Sequence, residues 1–224
     1  VIINKKIKKF NKTIKIPGDK SCSIRALLLA SQCIGESKIF NLLESTDVLD
    51  CLKALRTLGV KIVKRKNHYS VYGNGLNSFK IKRKLTRLYC GNSLTTGRLL
   101  TGLLSTIPSK FYIYGDASAN RRDFMRVIEP LEKVGAQFFP RKKTLPLTIE
   151  GTSLPLAQKH VETRGSSQVK GLILLSALST PGITTVEELK SKSSRTHTEI
   201  FLKKIGCDIK FKQTKKSNLI YLRG

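Results

Sequence analysis

Cys51-Leu52-Lys53-Ala54-Leu55-Arg56-Thr57-Leu58-Gly59-Val60 reads as the last turns of a helix, closed by a glycine and running into a strand. A glycine just past a helix adopts left-handed backbone angles without a Cβ clash, so it marks the end of the element. The same pattern returns at Ile128-Glu129-Pro130-Leu131-Glu132-Lys133-Val134-Gly135-Ala136 and at Phe201-Leu202-Lys203-Lys204-Ile205-Gly206-Cys207. The three glycines, Gly59, Gly135 and Gly206, are 76 and 71 residues apart. Self-similarity at such a spacing signals a repeated structural unit.

Working outward, each glycine precedes two short strand candidates and then another glycine. The pairs are Lys61–Lys64 with Tyr69–Tyr72, Gln137–Phe139 with Leu147–Glu150, and Asp208–Phe211 with Leu219–Leu222, closed by Gly73, Gly151 and Gly224. Upstream of each copy lies a second helical run, over Ser23–Gln32, Ser93–Thr106 and Ser167–Thr180, followed by a strand at Ser37–Leu42, Lys110–Tyr114 and Gly182–Glu187. These upstream helices are apolar nearly all round, as in Ala26-Leu27-Leu28-Leu29-Ala30, and are expected to be buried rather than amphipathic. The unit therefore reads helix, strand, helix, strand, strand, three times over. Three buried helices inside three small sheets make one α+β domain over roughly Lys20–Gly224.

The chain has 224 residues, enough to bury a sizeable core, and its longest apolar runs, Leu99–Leu104 and Leu172–Leu175, are too short to span a bilayer. The stretch Val1-Ile2-Ile3-Asn4-Lys5-Lys6 carries no apolar signal core, so a cytoplasmic location is expected. Five scattered cysteines (Cys22, Cys33, Cys51, Cys90, Cys207) form no C-x-x-C pair, and with three histidines no metal site is expected. Cys22 reads as a small buried residue and His197 as a structural hydrogen-bonding histidine. The formal charge of +27 comes from 29 Lys and 13 Arg against 15 acidic residues. It reads first as solvated surface, including Lys192 and the Lys210–Lys216 region, next as attraction for small anions, and last as nucleic-acid binding. No aromatic-interleaved basic stripe supports that last reading, which would make the chain a basic binding protein rather than an enzyme.

The upstream helices all open on small polar residues plus a donor. The first follows the turn Pro17-Gly18-Asp19 with Lys20, Ser21 and Arg25; the second opens at Cys90-Gly91-Asn92-Ser93-Leu94-Thr95-Thr96-Gly97-Arg98; the third at Gly165-Ser166-Ser167-Gln168-Val169-Lys170. Backbone N–H groups and the helix dipole favour anions at such ends. If the units are related by rotation, the three N-termini converge on one anionic site.

These segments resemble the 5-enolpyruvylshikimate-3-phosphate synthase family. The resemblance is carried by Gly18-Asp19-Lys20-Ser21-x-Ser23-x-Arg25-Ala26-Leu27, by Gly91-Asn92-Ser93 with Arg98, by Gly115-Asp116 through Arg122, by Ser166-Ser167-Gln168, and by Ser194-Arg195-x-His197-Thr198-Glu199. It runs in order from about Ile16 to Gly224 and looks closest to the glyphosate-tolerant bacterial class at Gln168-Val169-Lys170 and at Thr180-Pro181-Gly182-Ile183-Thr184-Thr185-Val186. The related UDP-N-acetylglucosamine enolpyruvyl transferases usually carry Lys-Asn-Ala at the first motif and fit less well.

The resemblance implies an enolpyruvyl transferase-like domain of three βαβαββ-type units, at about 17–85, 86–155 and 156–224, which is half of a two-domain fold. It implies transfer of the enolpyruvyl group of phosphoenolpyruvate to the 5-hydroxyl of shikimate 3-phosphate, with release of phosphate and without metal or cofactor. Lys20 would touch both substrates and act in catalysis. Ser21, Arg25, Ser166, Ser167, Gln168, Ser194 and Arg195 would hold shikimate 3-phosphate, while Leu94, Arg122 and Gln168 would meet phosphoenolpyruvate. Two departures are expected to weaken that second site: Leu94 stands where the family has Gly or Ala, and Asp123 puts a carboxylate beside Arg122. The family's catalytic carboxylates belong to the other half, where residues 1–16 would add a strand. The chain is expected to be one half of the enzyme, inactive alone, whether as a fragment, a truncated product or a subunit needing a partner chain for the second half.

Overall fold

The central helices form because long apolar runs are bounded by good caps. The computed structural model of the chain describes residues 9, 11, 13, 14, 16–81 and 83–224. In it α1 spans Lys20–Ala30, α3 spans Leu94–Leu104 and α6 spans Ser167–Ala177. Their N-caps are Asp19, Ser93 and Ser166, whose side chains accept from the backbone amides of Cys22, Thr96 and Val169. The Asp19 cap starts α1 at Lys20, three residues before the start expected from its apolar run. Every residue of α3 except Arg98 is buried, and in α6 everything from Val169 onward is.

The remaining elements follow the repeat. The first unit continues with β1 (Ile34–Phe40), α2 (Thr46–Thr57), β2 (Lys61–Lys64) and β3 (His68–Asn74). The second has β4 (Leu85–Tyr89) before α3, then β5 (Lys110–Tyr114), the short α4 (Ala117–Asn120), α5 (Met125–Val134), β6 (Gln137–Phe139) and β7 (Leu147–Glu150). The third has β8 (Lys159–Glu162) before α6, then β9 (Ile183–Leu189), a 3-10 turn at Lys190–Lys192, α7 (His197–Lys204), β10 (Ile209–Gln213) and β11 (Ser217–Arg223). Strands β4 and β8, implied by the family's βαβαββ order, pair parallel to β5 and β9 across the buried helices, with Leu85 opposite Lys110 and Lys159 opposite Thr185. The sheet orders are β1-β3-β2, β4-β5-β7-β6 and β10-β11-β9-β8. The N-terminal strand expected over residues 1–16 falls largely outside the described residues. No helix among the described residues is long and apolar enough to cross a membrane.

The glycine that closes each strand pair has one physical reason in all three units. A Cβ on Gly73 would collide with the carbonyls of Ala30 and Cys33, on Gly151 with those of Leu104 and Ile107, and on Gly224 with those of Ala177 and Thr180. The last strand of each unit thus seats its glycine on the carbonyls at the C-terminal end of its own unit's buried helix. That contact is why the sequence repeat includes a glycine at this place.

The core runs through α1, α3 and α6, with Ile24, Leu27, Leu28, Leu99, Leu100, Leu103, Leu172, Ile173 and Leu174 each at most 2% exposed. Helices α3 and α6 cross at backbone contact: a Cβ on Gly102 would lie 2.9 Å from Leu172 Cα and closer still to its carbonyl oxygen. Gly102→Ala is expected to destabilise the fold by about 1–3 kcal/mol, as overpacking does. Intrinsic helix propensity pushes the other way by about 1 kcal/mol. Urea titration gives the sign, and a more stable variant would show that the crossing is not close-packed.

Candidate functional site

The three helix N-termini border one cavity. It has a volume of about 330 Å³ and is lined by Ser21 and Arg25 of α1, Thr95 of α3, Ser167 and Gln168 of α6, and Gly165, Ser193, Ser194, Arg195 and His197. No carboxylate is among these lining residues, while two guanidinium groups are. Helix N-termini, hydroxyls and guanidinium forks together suit a phosphate or carboxylate.

Arg25 is 3% exposed. Its Nε donates to Thr198 Oγ1 at 2.7 Å and its Nη1 donates to the Ser21 carbonyl at 3.1 Å. Burial pulls its pKa below the ordinary arginine value. A buried cation whose remaining N–H groups edge a polar cavity gains from an anion entering it. Gln168 ties α6 to α3: its Nε2 donates to Thr95 Oγ1 at 3.0 Å and its Oε1 accepts from Arg98 Nη1. Arg98 Nη2 donates to the Asp123 carbonyl at 2.7 Å, and burial together with nearby Arg126 and Arg122 brings its pKa down to about 10. Gln168 therefore lies between the cavity and a second basic cluster.

Behind the cavity lies a buried ion cluster. Lys170, read from sequence as the donor at the third helix N-terminus, is instead fully buried and turned away. Its Nζ donates to both Glu188 oxygens at 3.1 Å and lies 2.7 Å from Glu199 Oε1. Glu188 Oε1 in turn accepts from the Ser194 amide at 2.8 Å and from its hydroxyl at 2.5 Å. The cluster thereby fixes the loop that carries Ser193, Ser194 and Arg195.

Of the residues singled out from sequence, Ser21, Arg25, Ser167, Gln168, Ser194 and Arg195 are brought together here. Lys20 is outside the lining; its Nζ pairs with Asp47 Oδ2 at 2.8 Å. Ser166 caps α6 and lines a smaller neighbouring cavity with His160, Glu162 and Arg126. The Leu94 side chain, 4% exposed, packs in the core. Arg122 Nη2 donates to Asn92 Oδ1 at 2.9 Å and to Ser118 Oγ at 3.2 Å. Asp123 does not neutralise it: the Asp123 carboxylate accepts from the Met125 amide at 2.8 Å and lies 3.8 Å from Arg126 Nε. Thr95 was missed because nothing local distinguishes it from the other threonines of α3. His197 stood inside a quoted motif, yet only the packing of α7 against α1 brings its ring to the cavity.

Glu162 holds the entry to α6. Its Oε1 accepts from the Arg164 amide at 2.8 Å and the Ser166 amide at 3.3 Å, and its Oε2 faces His160 Nε2 at 3.5 Å. Burial works against its ionisation, but His160 and these amides outweigh it and hold the carboxyl below the ordinary range. A depressed carboxyl stabilises the fold above its unfolded pKa, and this is lost as pH falls through the folded value. Glu162→Gln is expected to cost about 1–3 kcal/mol near neutral pH. Denaturant titrations at falling pH should show its deficit against the parent shrinking below the usual glutamate range. A deficit independent of pH would remove the carboxylate from this role.

A protein-family model described as EPSP synthase (3-phosphoshikimate 1-carboxyvinyltransferase) matches residues 4–223. A 3-phosphoshikimate 1-carboxyvinyltransferase of Ruegeria sp. (strain TM1040) is 39% identical over 214 residues, covering 93% of this chain and 46% of that protein. The enzyme of the same name from Paracoccus denitrificans (strain Pd 1222) is 38% identical over 212 residues, with 94% and 47% covered. Among solved structures, an EPSP synthase from Acinetobacter baumannii superposes with a TM-score of 0.84 at 34% identity, covering 94% of this chain and 46% of that one. The chain spans about half the length of the curated relatives it matches. With the family match running over nearly all its residues and the repeated fold shared, the chain belongs to the EPSP synthase family.

Proposed function

We propose that this chain supplies the shikimate 3-phosphate-holding half of an enzyme that transfers the enolpyruvyl group of phosphoenolpyruvate to the substrate's 5-hydroxyl and releases phosphate. The observation that carries this reading is the carboxylate-free cavity where three helix N-termini meet Arg25 and Arg195. A sugar-like acid phosphate needs that mixture: cations and amides for its phosphate and carboxylate, hydroxyls and an amide side chain for its hydroxyls. Ser21, Arg25, Ser167, Gln168, Ser194 and Arg195 take these roles, with Ser166 at the base of α6 completing the turn that presents Ser167.

Phosphoenolpyruvate would lie on the Gln168 side, where Arg98 and Arg122 gather positive charge, and Lys20 would reach both substrates after exchanging its pairing with Asp47. The buried Leu94 side chain leaves the backbone of the α3 N-terminus available there. The chemistry is addition followed by elimination: the 5-hydroxyl attacks C2 of the enol, C3 takes a proton, and phosphate leaves as the new double bond forms. The cations stabilise the charged intermediate. The acid–base groups belong to the polypeptide corresponding to the rest of the relatives' length, continuous with this chain or supplied by a partner. A cytoplasmic location and membership of the glyphosate-tolerant class go with this reading.

Calorimetric titration of the chain with shikimate 3-phosphate at moderate salt tests it. Saturable binding is expected, weakened about ten- to hundred-fold in Arg25→Ala, the worth of a charge-assisted hydrogen bond. A folded chain that gives no binding heat with shikimate 3-phosphate would overturn the assignment of this cavity.

A further inference from the structure

We infer that Asp19, Cys22 and His197 form a binding site for a thiophilic divalent cation, with zinc as the fitting physiological ion. The side-chain donor atoms of all three lie within 4.8 Å of one another. Asp19 caps α1, and Cys22 follows one turn later on the same side of the helix. His197 opens α7. It is separated from Asp19 by 178 positions in the chain, so no sequence spacing announces the set. The hydrogen bond from Arg25 Nε to Thr198 Oγ1, at 2.7 Å, clamps α7 to α1 beside it and holds the His197 ring over the α1 N-terminus.

The donor set decides the class of ion. One thiolate, one imidazole and one carboxylate suit zinc or cobalt, whereas magnesium and calcium prefer all-oxygen shells. Ligand atoms around a tetrahedral zinc ion sit roughly 3.5 Å apart, given bond lengths of about 2.0–2.3 Å. The three donors need therefore close by only about an ångström, within reach of side-chain rotation. Three protein ligands leave the fourth position open.

The Cys22 thiol and the Asp19 carboxylate already lie within 4.8 Å of each other. On binding, the Cys22 S–H bond is exchanged for a sulfur–metal bond and the proton goes to solvent, with no change of oxidation state. Asp19 Oδ1 can keep the Cys22 amide, at 2.7 Å, while the other oxygen turns to the ion. Because His197 also lines the anion cavity, the ion would sit at that cavity's edge. The proposal does not depend on which anion the cavity binds, and the titration is made without one.

The test is a cobalt(II) titration of the chelator-treated chain, followed by absorbance. The expected result is a thiolate-to-cobalt charge-transfer band and intense tetrahedral d–d bands that saturate at one ion per chain and are abolished by zinc. Cys22→Ser should lose the charge-transfer band with its circular dichroism unchanged. His197→Ala should weaken binding by at least about ten-fold, since loss of even an outer-shell partner typically costs that much. The control is the Cys33→Ser, Cys207→Ser double variant, because those two part-exposed thiols lie near each other and are the competing thiol pair. It should titrate like the parent. Absence of the charge-transfer band, its survival in Cys22→Ser, or its loss in the double variant would each overturn the assignment.

Discussion

The fully buried ammonium of Lys170, held between Glu188 and Glu199, is the constraint on which the site depends. It joins three elements of the third unit: α6 through Lys170, β9 through Glu188 and α7 through Glu199. Removing one member of such a buried set costs about 3–5 kcal/mol, because it leaves uncompensated charge in a low-dielectric interior. The cluster also has a directional effect. Glu188 captures the amide and hydroxyl of Ser194, and Thr198, next to Glu199, captures Arg25. One set of charges thus orients both the serine loop and the principal guanidinium of the cavity.

Around that anchor the fold solves a packing problem. Three helices are buried nearly all round, so polar side chains are tolerated only at their N-terminal ends. Those ends meet at one place, where the amides and dipoles that a buried helix leaves unsatisfied suit an anion. The opposite ends are closed by a backbone contact, each helix's final carbonyls lying against the glycine of its own sheet's last strand. The same three helices are therefore closed by packing at one end and open to chemistry at the other.

The large positive charge is not concentrated in the cavity. Among the described residues most lysines are exposed, and several pair with the few acidic groups, as Lys64 does with Glu44 and Lys110 with Glu150. Such exposed pairs contribute little to stability. The summed field favours the approach of anions, and the cavity lining, with two guanidinium groups and no carboxylate, does not oppose it.

The sequence by itself determined the repeat, the order of elements, the burial of one helix per unit and most of the polar residues at their N-termini. These depend on turn chemistry, capping and apolar runs, which act over a few neighbouring residues. Even there, Asp19 moved the start of α1 because its carboxylate caps the helix earlier than the apolar run begins. Tertiary structure alone decided which charges meet. Lys170 looked like a site cation and proved to be a buried anchor. Asp123 looked like a partner for Arg122 and turned to Arg126 and the Met125 amide instead. Thr95 and His197 joined the cavity only through helix crossings. Arg25 and Thr198 are separated by 173 positions. Such a pairing is set by close packing across the core, and no local pattern encodes it.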